Sequence, residues 1–274
     1  MCKVLKRSSV LSVSLISFLF TVIPESVFSE ITLLPEKYSL PTNTILVRIL
    51  VCALVFVIST AAIAVFYALR RSVTFKGSTY SVVVEYGDLL RKKKCKKVIP
   101  FDECFITRIG EAPDEIKANS VCGQYLKNHP MTDEDITEMA LKANLQPLPD
   151  SSRYDGRRKY ELGRVLVSDD YLLMAFAKLD KDGLGYMNRE EYLTCLSTLW
   201  EEVDKYYGQT DVCIPIIGSG RTRFQEKNPT QQELLDMIIQ SYKLSHRKIK
   251  LPSKLHIVCR KQDGFSLNKI GTCL

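Results

Sequence analysis

Residues 45–69 carry a single charge, Arg48, and are otherwise apolar or small. At 1.5 Å of rise per residue, a helix of this length crosses the roughly 30 Å hydrocarbon core of a bilayer. A soluble domain rarely buries so long a run with so few polar groups. Arg48, near the start, can snorkel to the nearer interface. Arg70 and Arg71 follow at once and place the remainder of the chain on the cytoplasmic side. A second apolar run, residues 10–23, is shorter. Lys3, Lys6 and Arg7 precede it and Pro24 closes it. Two readings compete for it. One is a first transmembrane helix, making a hairpin whose short outer loop holds Glu25, Glu30 and Glu36. The other is a signal peptide cut after Ser29. The hairpin is favoured, because small residues at a cut site are a weak signal. The chain is therefore expected to divide into a membrane region, 1–72, with helices at about 10–23 and 45–69, and a cytosolic domain, 73–274.

The cytosolic part is long enough to bury a core without disulfides. The nine cysteines form no Cys-x-x-Cys pair and read as reduced thiols. Of the net charge of +7, much is local: Arg91, Lys92, Lys93, Lys94, Lys96 and Lys97 crowd together. Such a run is read as a solvated loop able to sit on anionic lipid. No aromatics interleave it, so nucleic acid is not an expected partner.

Residues 73–78 read as a linker. Strands are predicted at 80–85 and 98–101, then helices at about 120–127 and 132–144. Residues 146–158 form a loop, and strands follow at 165–167 and 171–178. Residues 188–207 predict an amphipathic helix with Tyr192, Leu196, Trp200, Val203 and Tyr207 on one face. A buried strand at 212–217, a helix at 230–246 opened by a Thr230-x-x-Glu233 box, and a strand at 255–259 complete the chain. This alternation predicts an α/β sheet with helices on both faces.

The buried strand stops at Gly218-Ser219-Gly220, with Arg221, Thr222 and Arg223 behind it. Glycine permits positive φ and close approach of a ligand. Successive amides in such a turn make a concave anion site, to which the arginines add charge. The plain alternative is an ordinary strand-to-loop turn.

Three elements in order resemble a macro domain, the fold that binds ADP-ribose and related nucleotides. Gly87-Asp88-Leu89 is similar to that fold's Gly-Asp-Ile/Leu, which implies that Asp88 holds the adenine amino group. Asn119-Ser120-Val121-Cys122-Gly123-Gln124 stands where the first phosphate loop belongs. Pro215 to Gly220 resembles the second phosphate loop, and Phe224 the aromatic that stacks on the distal ribose. With N-terminal membrane segments, the set resembles the membrane-anchored Thoeris ThsA macro-domain effectors of bacterial anti-phage defence, over about residues 45–262. Residues 98–107 and 171–176 are similar to that family's pattern. The resemblance implies a three-layer α/β/α macro-like fold with a mixed central sheet. It implies no cofactor, but a ligand derived from ADP-ribose and made by a TIR-domain partner that consumes NAD. It also implies a homo-oligomer in the bacterial inner membrane, with the macro domain in the cytoplasm. The asparagine pair of macro-type hydrolases is replaced by Pro100, Phe101, Asp102 and Glu103, and the first phosphate loop keeps only Gly123. Both departures favour binding over hydrolysis, with Asp102 placed on ribose hydroxyls.

A rival lies in Asp180-Lys-Asp182-Gly-Leu-Gly-Tyr-Met-Asn188-Arg-Glu-Glu191, which fits an EF-hand loop at positions 1, 3, 9 and 12. Position 5 is Leu184, and no second hand is visible. The same residues are explained by a glycine turn followed by an Asn188–Glu191 helix cap. His129, His246 and His256 have no paired spacing. Ser219 lacks a nucleophile elbow. The expected function is that of a nucleotide sensor, with an ADP-ribosyl hydrolase or a calcium-binding protein as alternatives.

Overall fold

The computed structural model describes residues 2–33, 35 and 39–271. They form two compact units, 1–70 and 71–274. Glu36 of the expected outer loop lies outside the described residues.

In the first unit α1 (Cys2–Val22), the short α2 (Glu25–Glu30) and α3 (Leu40–Ala68) make a helical hairpin. Arg7 of α1 lies over the Tyr67 ring near the end of α3, at 5.7 Å, so the two long helices run antiparallel. At the other end Arg48 pairs with Glu25 at 3.3 Å and lies over Phe20 and Phe28. Thus Arg48 is held by α2 and by the end of α1. Asn43 ties the connection down: Nδ2 donates to Ile31 O at 2.6 Å and Oδ1 accepts from Leu33 N at 2.8 Å. Among the described residues only α3 is long and apolar enough to cross a membrane. The apolar part of α1, Arg7–Val22, is shorter.

The second unit is built on β1 (Ser72–Lys76), β2 (Ser81–Tyr86), β3 (Cys95–Asp102), β4 (Val165–Ser168), β5 (Tyr171–Leu179), β6 (Gly185–Met187), β7 (Asp211–Pro215), β8 (Arg223–Phe224) and β9 (Leu255–Cys259). The sheet order is β1-β2-β9-β7-β3-β5-β6-β8, with β4 also on β5. Strands β2, β9, β7, β3 and β5 are mutually parallel, whereas β1 and β4 are antiparallel to their neighbours. The sheet is therefore mixed, with a parallel centre.

Parallel strands covered on both faces need apolar side chains at consecutive positions. Val98 and Ile99, Leu172 and Leu173, and Ile257 and Val258 meet that need. Alternation sends the first of each pair to one core and the second to the other. On one face α6 (Arg189–Tyr206) and α7 (Gln231–Leu244) bury Tyr192, Leu196, Trp200, Leu235 and Ile239. On the other, α4 (Val121–Asn128) and α5 (Asp133–Lys142) bury Tyr125, Leu126 and Ile136. Capping boxes at Thr132–Asp135, Asn188–Glu191 and Thr230–Glu233 start α5, α6 and α7.

Two expectations change. Residues 73–78 are not merely a linker, because Val73 is paired with Val84 in an edge strand. The basic run is only partly a solvated loop. Arg91, Lys93 and Lys94 are exposed, but Lys96 and Lys97 belong to β3. Lys97 is buried, with its ammonium 4.9 Å from the Tyr171 ring centre. A long apolar stem and a cation–π contact let lysine occupy such a position.

Candidate functional site

A cavity of about 430 Å³ opens at the carboxyl ends of the parallel strands. Gly87 follows β2 there; Pro100, Phe101 and Asp102 close β3, Phe176 and Ala177 come from β5, Pro215 ends β7 and Val258 lies in β9. This end of an open α/β sheet is where ligands bind, because strand ends diverge and loops supply the walls.

The glycine turn forms one wall. Gly218, Ser219, Gly220, Arg221 and Thr222 all line the cavity. Ahead of them Ile216 and Ile217 are buried, and Tyr192 Oη donates to Ile217 O at 2.9 Å. Ser219 Oγ donates to Ile216 O at 2.6 Å. Gly218 has φ of +85°. A Cβ there would also meet Tyr192, Leu234 and Phe176 at 3.3–3.4 Å, so backbone and packing both select glycine. A Cβ on Gly220 would meet nothing within 4 Å.

The start of α4 forms the facing wall. Ser120 caps the helix, accepting from Gly123 N at 2.9 Å and donating to Lys117 O at 2.7 Å. Ser120, Val121 and Cys122 line the cavity; Gly123 does not. A Cβ on Gly123 would stand 2.2 Å from Lys117 O. This glycine thus serves a close backbone approach rather than the cavity surface.

Asp102 lines the cavity at the end of β3. Its Oδ1 accepts from Cys104 N at 2.8 Å and its Oδ2 from Ile106 N at 3.2 Å. Desolvation pushes the carboxyl group up to about 6, against the pull of those amides. Glu103 beside it is buried and tied elsewhere. It accepts from Ser152 Oγ at 2.6 Å and Leu179 N at 3.2 Å, fastening the 146–158 loop to β5.

Asp88 and Phe224, like Gly123 and Arg223, lie off the cavity lining. Asp88 stands between Gly87 and Leu89, which line it, but accepts from Leu90 N at 3.0 Å in its own turn and has Arg91 Nε at 3.5 Å. Phe224 is buried against Tyr192, ring centres 5.6 Å apart, on the α6–α7 side of the sheet. Within β8 successive side chains point to opposite faces, so Arg223 is exposed and Phe224 turns into the core.

The 180–191 loop reaches the cavity through Gly183, Leu184 and Gly185. The side-chain oxygens of Asp180, Asn188 and Glu191 are engaged within the protein, whereas Asp182 is exposed. Asp180 accepts from the Asp182 and Leu184 amides at 3.0 and 2.9 Å and pairs with Arg223. Asn188 accepts from Glu191 N at 2.8 Å, and Glu191 returns to Asn188 N at 2.8 Å and to Lys178 Nζ at 2.5 Å. Among the described residues, no three His, Cys, Asp or Glu side chains are grouped to hold a metal ion. The histidines are elsewhere: His129 stacks on Tyr125, His246 is exposed, and His256 lies between Glu85 and Asp211.

Asp114, Glu115, Lys117, Arg260 and Gln262 also line the cavity and belong to none of the sequence motifs. Arg260 was findable, since it directly follows a parallel strand. The 113–117 segment was not, because it is irregular and only tertiary packing brings it over the cavity.

The sequence profile described as "Thoeris protein ThsA, Macro domain" matches residues 82–260. The Thoeris protein ThsA of Bacillus amyloliquefaciens (strain Y2) is 27% identical over 205 residues, spanning 72% of this chain and 68% of that protein. The Oceanobacillus iheyensis macrodomain with MES bound covers 70% of this chain and 89% of its own at 11% identity and a TM-score of 0.45. The same macrodomain with ADP gives 10% identity and a TM-score of 0.44 over the same shares. The profile match runs from β2 to the residue after β9 and includes both walls of the cavity, and the chain belongs to the Thoeris ThsA macro-domain family.

Proposed function

We propose that the second unit is a sensor that binds an ADP-ribose-derived nucleotide in anti-phage defence, without turning it over. The observation that carries this reading is the cavity itself. It has a ligand-sized volume, lies at the strand carboxyl ends, and is walled by the Gly218–Thr222 turn and the capped start of α4. The diphosphate rests on the glycine turn and near Ser120, with Arg221 balancing charge. Asp88 takes the adenine amino group by releasing its own turn, and Asp102 takes ribose hydroxyls. A TIR-domain enzyme supplies the signal from NAD. The hairpin sits in the bacterial inner membrane with the second unit in the cytoplasm, a reading supported by the length and apolarity of α3. The protein works as a homo-oligomer whose pre-existing equilibrium the ligand shifts by binding one state more tightly.

The test is a thermal-shift and calorimetric titration of the detergent-solubilised chain with ADP-ribose and its conjugates. Saturable stabilisation that Gly220→Glu abolishes is expected. No stabilisation by any of them would overturn the reading. Hydrolysis of ADP-ribosylated protein by the same preparation would replace the sensor with the enzyme alternative. Partition into the membrane fraction, resistant to alkaline carbonate, is expected of the hairpin; release into the supernatant would contradict it.

A further inference from the structure

Lys117 and Arg221 line the same cavity from different loops. The 108–116 segment folds back on itself, with Ile116 N donating to Arg108 O at 2.9 Å and Gly110 N to Ile116 O at 3.1 Å. That fold brings Glu111 over Lys117. Lys117 Nζ donates to Glu111 O at 2.5 Å and to Glu111 Oε2 at 2.6 Å. Lys117 is largely covered, whereas the Glu111 side chain is 85% exposed. The Lys117 hydrogen bond and charge, and to a lesser extent the charge of Arg221, hold the Glu111 carboxyl below the usual carboxylate range. One exposed carboxylate therefore lies in the field of two cations that border the cavity.

We propose that Lys117 and Arg221 form a two-sided clamp for a diphosphate, and that Glu111 occupies the clamp as a displaceable stand-in while the ligand is absent. The proposal rests on the reading of the cavity as a nucleotide site and adds residues to it. The first phosphate loop lacks a glycine run, and its Gly123 packs on the Lys117 carbonyl away from the cavity. Backbone amides on that side are replaced by the lysine side chain as a point charge for phosphate. An exposed ion pair contributes little, so Glu111 can leave for solvent at small cost. A diphosphate brings more charge and more acceptor oxygens than the single carboxylate it replaces.

Calorimetry on the solubilised chain, with ADP-ribose and with inorganic pyrophosphate as separate probes, tests the clamp. Glu111→Ala is expected to bind both about two- to fivefold more tightly. Lys117→Ala is expected to weaken both by about tenfold or more. The double variant should bind more tightly than Lys117→Ala alone, because the repelling carboxylate is gone. Unchanged or weaker binding in Glu111→Ala overturns the clamp while leaving the nucleotide reading in place. Pyrophosphate binding that responds to Glu111, with ADP-ribose inert, would keep the clamp and overturn the nucleotide reading. Absence of binding by either probe overturns both.

Discussion

Arg223 donates to the carboxylate of Asp180, joining the strand after the glycine turn to the first residue of the 180–191 loop. Each residue was a candidate for a ligand, Arg223 for phosphate and Asp180 for calcium, and each is instead partnered by the other. The pair holds β6 and β8 side by side, where Tyr186 faces Arg223. Arg223→Ala is expected to cost about 0.2–1 kcal/mol of stability, as for an exposed ion pair. It should leave ADP-ribose affinity within about twofold, whereas Arg221→Ala weakens it about tenfold, as for a charged hydrogen bond. Paired thermal melts and titrations of the two variants measure the contrast.

The two glycines of the turn separate folding from binding. Gly218 has positive φ and close neighbours, so Gly218→Glu is expected to destabilise the protein by about 1–3 kcal/mol or more. Gly220 faces open space, so Gly220→Glu should stay within about 0.5 kcal/mol of the parent. That variant places a negative side chain at the anion site and should lose ADP-ribose binding. Urea melts beside calorimetry check both halves.

Phe224 is a core residue. Phe224→Ala removes a buried ring packed on Tyr192 and should cost about 3–5 kcal/mol. Phe224→Leu keeps most of the volume and should fold with ADP-ribose affinity unchanged. A selective loss of affinity in the folded leucine variant would place the ring at the ligand after all.

Asp102 gives the stability a pH dependence of predictable sign. Its folded value of about 6 lies above the ordinary 3.8. Between about pH 4 and 6 the folded protein keeps a proton that the unfolded chain has released. Stability contributed by this residue therefore falls as pH rises through that window and is level above it. The whole change is on the order of 2–3 kcal/mol. Asp102→Asn keeps an acceptor for the Cys104 amide and should flatten the slope. Urea melts at pH 4, 5, 6 and 7 read it directly.

Much of the second unit was legible because its signals are local. Capping boxes fix the starts of α5, α6 and α7 within one turn of chain, and the stripe from Tyr192 to Val203 marks a buried helix face. The edge strand β1 and the short β6 and β8 were missed. Their pairing is set by the neighbouring strands, not by their own composition. Lys96 and Lys97 were misplaced for the same reason: charge suggested a loop, while β5 and β7 on either side enforce a strand.

By itself the sequence determined the apolar run of α3, the alternation of strands and helices, and the glycine turn at the end of β7. Each depends on interactions between residues close in the chain. Tertiary structure decided which of the candidate groups share a cavity. It put Asp102 and Gly218–Thr222 on one surface, turned Phe224 and Glu103 into packing, paired Asp180 with Arg223, and brought in Lys117 and Arg260. Side-chain direction and long-range pairing come from sheet register and loop packing, which no local pattern encodes.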